Sequence, residues 1–198
     1  AVEGAARELG IDFTAVPSLP EARVHDSPVP RLGVWVPWAD TDSIGWIRYV
    51  LDQRKVPYVY LRDEDVRAGN LRDRVDAIVY GHVRMDLVGQ IHGIRAVTGP
   101  MPFTKTDRYP SHGDPVASDD ITGGIGWRGL ANLQAFVEAG GLLVTLGNGS
   151  TLALDGGLVA SVRRSSVMGV TTPGAELRAR FVQAGHPIGY GYAPEISV

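Results

Sequence analysis

The chain of 198 residues contains no cysteine. Disulfides, thiolate metal sites and a cysteine nucleophile are therefore excluded, while the compartment stays open. No run of about 18 apolar residues occurs, so no transmembrane helix is expected. Neither charge sign is in large excess: 19 Lys and Arg face 22 Asp and Glu, for a net charge of −3. With both signs scattered, no basic field points to nucleic acid or to an anionic membrane. The five histidines never form H-x-x-E or H-E-x-x-H, the spacings that zinc peptidases use. G-x-S-x-G, the nucleophile elbow of serine hydrolases, is missing as well. There is no internal repeat, no low-complexity segment and no signal peptide at residue 1. Ala1 is not an initiator methionine, so a processed form or an excised fragment is expected.

What is present is an α/β pattern. At 44% hydrophobic and 21% charged residues, the composition is that of a globular protein with a real core. Residues 1–30 read as a lead-in: a short helix over 2–9 ended by Gly10, an extended piece over 11–16, and a linker punctuated by Pro17, Pro20, Pro28 and Pro30. The domain proper is expected over 31–198. Strand one spans 31–38 and ends at Pro37, since proline cannot donate to a ladder. A helix follows over 43–55, with Ile44, Ile47, Val50 and Leu51 on one face. Strands are expected over 56–61 and 75–80, separated by a polar stretch with a turn at Gly69-Asn70. The segment 82–122 is irregular and proline-rich.

The chain is organised around 119–152. A glycine-rich entry leads into a helix over 127–139, with Leu130, Leu133, Phe136 and Val137 on its apolar stripe and Gly140-Gly141 as its stop. The apolar run 142–146 then reads as a central parallel strand covered on both faces. A sharp turn follows at Gly147-Asn148-Gly149-Ser150, and another helical turn begins near Thr151. Further on, 159–170 reads as strand or loop. The stretch 175–182 alternates Leu177, Ala179 and Phe181 with Arg178 and Arg180, which suits a strand with one wet face. The chain stops as another apolar strand begins. Strand–helix alternation of this kind argues for an open sheet with right-handed crossovers.

In such folds ligands sit at the carboxyl ends of the strands. Asn148 is therefore the position to test for chemistry, yet an amide is neither a nucleophile nor a base at neutral pH. His82, His92 and His112 are too irregularly spaced for a zinc set. Gly124, Gly126 and Gly129 match G-x-G-x-x-G by spacing, but the segment before them is a poor strand and no acid follows at the required distance. A glycine-rich turn entering a helix is the plainer reading, although free N–H groups at a helix start can hold an anion. The acid clusters Asp119-Asp120 and Asp63-Glu64-Asp65 fit solvated loops or helix caps better than a catalytic pair. Trp35, Trp38, Trp46 and Trp127 read as core or interface anchors.

Four blocks carry a family resemblance: PRLGVWVPWADTDSIGWIRYVLDQRKVPY, LRDEDVRAGNLRDRVDAIVY, TGGIGWRGLANLQAFVEAGGLLVTL, and TTPGAELRARF with HPIGYGY after it. In this order they resemble the class I glutamine-amidotransferase-like domain at the C-terminal end of bacterial zinc carboxypeptidase-family (carboxypeptidase A-like) proteins, over about residues 31–195. The resemblance implies a flavodoxin-like three-layer α/β sandwich with a mainly parallel sheet. It also implies an upstream peptidase domain in an exported parent, periplasmic or extracellular. Active amidotransferases of this class place a cysteine at the elbow after strand 142–146 and a His-Glu pair downstream. Here Asn148 holds the elbow, and His186 and Glu195 do not form that pattern.

The expectation is a non-catalytic accessory domain with no cofactor of its own, zinc belonging only to the upstream domain. Its partner would be that peptidase domain of the same polypeptide, or a second copy, with no nucleic acid and no membrane. It would support stability, substrate selection or association. Two alternatives stand beside it. One is a small-molecule or glycan-binding module at the strand ends, using Trp38, Gly81, the Gly123, Gly124 and Gly126 turn, Asn148 and Ser150. The other is a hydrolase with Ser150 as an unfamiliar nucleophile beside a loop histidine.

Overall fold

The computed structural model describes residues 2–10, 12, 14–18, 21, 28–165, 169, 174, 176–183 and 185–198. The chain forms two compact units, Ala1–Leu158 and Val159–Val198. The first holds helix α1 (Val2–Leu9), strand β1 (Leu32–Trp35), α2 (Asp42–Gln53), β2 (Val59–Leu61), α3 (Asp63–Ala68), α4 (Leu71–Arg74), β3 (Ala77–Tyr80), α5 (Leu87–His92), α6 (Gly126–Glu138), β4 (Leu142–Thr145) and α7 (Ser150–Asp155). The four strands make one parallel sheet in the order β2-β1-β3-β4. The architecture is therefore α/β, as the alternation in the sequence predicts. Of the lead-in, the helix over 2–9 is present, whereas Asp12 and Thr14–Val16 form no strand. Ile11, Phe13 and most of 19–27 lie outside the described residues.

The sheet is pinned at its amino end by charge. The Arg31 backbone N–H and side chain donate to the Asp76 carboxylate at 2.8–3.1 Å, and Arg72 adds a bond of 2.9 Å. The Arg31 bonds hold the Asp76 carboxyl well below the usual carboxylate range. Side chains from β1 and β3 fill the core. Trp35 stacks on Tyr80 with ring centroids 4.0 Å apart, in a core that also contains Val34, Leu61, Ile78 and Ile44, all without exposed surface. Each such fully buried large side chain stabilises the fold by roughly 1.5–3 kcal/mol relative to solvent.

Helix α6 explains its own boundaries. Leu130, Leu133 and Phe136 are buried along one stripe. Gly140 at φ 82° ends it, and Gly141 is required by close approach: a Cβ there would meet the Phe136 ring at 2.5 Å. In the spacing motif, Gly124 and Gly129 are packing positions, while Gly126 is set by its φ of 59°. A Cβ on Gly124 would lie 2.5 Å from the Ile91 carbonyl oxygen, and one on Gly129 would approach Val66 of α3 to 3.3 Å. These glycines let α5 and α3 press against the entry to α6.

Three expectations are corrected. The run 142–146 is not a central strand covered on both faces: β4 lies at the sheet's edge, with Leu142 59% and Leu146 43% exposed. The polar stretch 63–74 folds as two short helices flanking the expected turn at Gly69 (φ 83°) and Asn70 (φ 53°). Its three acids occupy the first turn of α3, where the helix dipole favours them. The irregular segment hides α5, started by the Asp86 carboxylate accepting from Gly89 N at 2.8 Å. A bridge between Ile94 and Thr122 then closes the rest of the loop, and a second joins Phe103 to Ser118.

The second unit contains an antiparallel pair, β5 (Arg178–Arg180) and β6 (Glu195–Ser197), with Ala179 paired to Ile196. The alternation expected over 175–182 holds in β5, where both arginines are exposed and Ala179 is half-buried. Among the described residues of 159–170 no strand forms. Residues 166–168 and 170 lie outside the description.

Candidate ligand groove at the carboxyl edge

The carboxyl ends of β1 and β2 open into a groove of about 440 Å³. Its floor and one wall come from Val36 and Trp38 after β1, from Tyr60 in β2 and Arg62 after it, and from Arg48 of α2. The 95–121 loop supplies Phe103, Asp114, Pro115 and Ile121 opposite. Ligand sites of open α/β sheets lie outside the carboxyl ends of the strands, most often where the strand order reverses, here between β1 and β3; this groove lies beside that point, over β1 and β2.

Two acids hold the tryptophan that lines the groove. Asp63, buried at the start of α3, accepts from Trp35 Nε1 at 2.9 Å and from the Trp38 backbone N–H at 3.2 Å. Burial pushes its carboxyl up to about 6 against the pull of those donors. Glu64 accepts from Trp38 Nε1 at 2.9 Å and from the Ser118 hydroxyl, tying the loop to the sheet. Of the readings offered for the Asp63-Glu64-Asp65 cluster the helix cap holds, with Asp65 accepting from the Arg62 backbone N–H at 2.7 Å at the start of α3. Asp63 and Glu64 have a further role: they position two indoles.

The Arg62 guanidinium lies 3.7 Å from the Trp38 ring centroid and 4.7 Å from that of Tyr60, while Arg48 sits 4.3 Å over the same tyrosine. Arg62 is only 5% exposed, and burial lowers its pKa from the ordinary value. Each cation–aromatic contact contributes about 0.5–2 kcal/mol, more as water is excluded.

The other residues singled out in the sequence lie elsewhere. Gly81 packs against α2, where a Cβ would meet Ile44 at 2.7 Å. Asn148 is a clamp: its Nδ2 donates to the carbonyls of Val83 at 2.9 Å and Met85 at 2.7 Å, and its Oδ1 accepts from the Thr151 hydroxyl at 3.0 Å. Its backbone N–H donates to His82 Nδ1 at 3.1 Å. Ser150 donates to the Thr145 carbonyl at 3.2 Å and accepts from the Thr145 hydroxyl at 3.1 Å, so its proton is held within the turn. At the Gly123, Gly124 and Gly126 turn it is carbonyls that meet charge, with Arg67 donating to Thr122 O and Gly124 O. Asp120 accepts from Met101 N, Thr122 N and Thr122 Oγ1, fixing the loop's return. His92 meets Trp127 edge-on, and His112 stacks on both Phe103 and Tyr109. Among the described residues, no group of three or more His, Asp or Glu could hold a metal ion. No helix there is long and apolar enough to cross a membrane.

Of the residues expected to meet a ligand, Trp38 alone lines the groove. Arg48, Tyr60, Arg62 and Phe103 were missed. A signal for part of this set was present in YVYLRDED: strand periodicity puts Tyr58, Tyr60 and Arg62 on one face, and the strand's end puts Arg62 at the carboxyl edge. The chain matches no family model, and no curated protein and no solved structure matches it.

Proposed function

We propose that this chain is a non-catalytic accessory domain of a zinc carboxypeptidase-like protein, built on a flavodoxin-like, amidotransferase-like α/β scaffold. The observation that carries the reading is Asn148. It occupies the elbow after β4, where an amidotransferase of the resembled class needs its cysteine, and all three of its side-chain hydrogen bonds go to neighbouring loop and helix. The elbow is used for architecture. The order β2-β1-β3-β4 supports the scaffold, because flavodoxin-like sheets begin 2-1-3-4. The link to a peptidase rests on the four sequence blocks.

The test compares the complete polypeptide with a version ending just before Pro30, for zinc-dependent release of C-terminal amino acids and for thermal stability. Loss of activity or stability on truncation is the expected result. If both measurements are unchanged, the accessory role is refuted.

A second reading, the small-molecule-binding module at the strand ends, has its own support in the groove lined by Trp38 and Arg62. It is compatible with the first, since an accessory domain can select substrate by binding it. The Ser150 hydrolase reading receives no such support, because the hydroxyl is engaged by Thr145.

A further inference from the structure

The groove is lined by two guanidinium groups, and Asp114, the acid in its lining, forms no ion pair with either among the described residues. Arg62 donates from Nη1 to the Val36 carbonyl at 3.1 Å, while its buried Nε has no hydrogen-bond partner. Arg48 donates from Nε to the Tyr58 hydroxyl at 3.1 Å. Neither forms an ion pair among the described residues. Asp63 and Glu64 act on Arg62 through space as opposite charges, but their hydrogen bonds go elsewhere, Asp63 to Trp35 and Trp38, Glu64 to Trp38 and Ser118. A buried N–H with no acceptor is unfavourable, and two like charges flanking Tyr60 repel in a site of low dielectric. An anion entering the groove offsets the repulsion between the two guanidinium groups.

We propose that this groove binds a small monocarboxylate bearing an apolar or aromatic body, with Arg62 and Arg48 holding the carboxylate and Trp38 and Phe103 holding the body. A guanidinium presents a planar fork that matches a carboxylate, and stacking on aromatic rings fixes its plane in advance. The groove's volume of about 440 Å³ falls within the range of small-molecule sites. The wall opposite is apolar apart from Asp114, an exposed acid on the rim that disfavours a dianion such as phosphate. A peptide's C-terminal residue and a free aryl or alkyl acid share this chemistry. The proposal rests on the binding-module reading and narrows it to one ligand class.

The experiment titrates the full chain with N-acetyl-phenylalanine, its uncharged amide, phenylacetate and inorganic phosphate, following heat and tryptophan fluorescence. The expected result is that both carboxylates bind, that the amide binds at least tenfold more weakly, and that phosphate is weaker than either carboxylate. N-acetyl-phenylalanine bound better than phenylacetate assigns a peptide end; the reverse order assigns a free acid. Arg62→Gln lowers carboxylate affinity at least tenfold. Arg48→Gln does the same at a half-exposed position that leaves the fold intact, and Arg62→Lys recovers only part of the loss. Equal binding of acid and amide, or unchanged affinity in Arg48→Gln, overturns the carboxylate assignment while leaving a binding module. Preference for phosphate overturns it in favour of a phosphorylated ligand. No binding of any probe at millimolar concentration removes the module reading along with it.

Discussion

Replacing Asn148 by aspartate changes one NH2 for one oxygen and almost no volume. In the native chain that NH2 donates to two carbonyls, Val83 O and Met85 O, at 2.9 and 2.7 Å. The aspartate oxygen would face both as an acceptor. Each carbonyl left without its donor costs about 1–3 kcal/mol, so the variant should lose roughly 4 kcal/mol. Asn148→Ala removes three side-chain bonds without adding repulsion and should lose about 3 kcal/mol, at about 1 kcal/mol per bond. In a unit of this size 1 kcal/mol is worth about 2–4 °C in Tm, which puts the alanine variant about 6–12 °C below the parent. Urea and thermal unfolding followed by circular dichroism measure both. The aspartate variant carries a further signature. Two facing carbonyls favour its protonated form, which donates again, so its folded-state pKa is raised. Its deficit should therefore shrink as pH falls through that pKa. An Asn148→Asp protein within about 0.5 kcal/mol of the parent at neutral pH would refute the clamp and reopen the elbow as a site of chemistry.

Other perturbations follow from the same structure. Asp63 titrates at about 6 when folded, against about 3.9 unfolded, so the folded state binds the extra proton between these values. Its contribution to stability is therefore fully present below about pH 4 and falls by about 3 kcal/mol as pH rises through 6; denaturant melts from pH 3.5 to 7.5 should show this slope in the parent and not in Asp63→Asn. Asp76, whose pKa is lowered by Arg31, acts in the opposite sense: its stabilisation is present above the usual aspartate range and fades as pH falls below it. Gly124→Ala meets the Ile91 carbonyl and needs a left-handed conformation at φ 53°, so a loss of at least about 2 kcal/mol is expected in urea unfolding. Ser150→Ala forfeits bonds within its own turn and should cost only about 1 kcal/mol; abolition of a hydrolytic activity by this change would overturn the non-catalytic reading.

The elements with clear periodicity were legible in the chain. Helix α6 showed Leu130, Leu133 and Phe136 at helical spacing, and β3 showed an apolar run; both lie within a few residues of where the pattern put them. Helices α3 and α4 were not legible because each buries one apolar side chain, Val66 and Leu71, too few to make a period. The edge position of β4 was hidden for another reason. An apolar pentapeptide suits a central strand, and strand order is decided by crossovers that no local window contains. The groove was half legible. Trp38 stood out as an aromatic at a strand's end, whereas Arg62 reads locally as one of many surface arginines. Its burial arises between Trp38 and Tyr60, under a loop that arrives from residues 95–121.

That loop leaves and rejoins the scaffold at one point. Ile94 bridges Thr122, Gly123 N donates to Ile94 O at 2.8 Å, and Gly93 and Gly124 touch backbone to backbone. Between these anchors the loop meets the sheet's carboxyl edge through Ser118 on Glu64 and Phe103 against Trp38, and its other residues can vary in length and composition without moving a strand. The groove's outer wall is in this sense an interchangeable cassette, while the arginine-bearing wall belongs to the sheet itself. Under the proposed carboxylate binding, related chains that keep Arg48 and Arg62 but carry another cassette would retain the charge of the ligand and alter its shape.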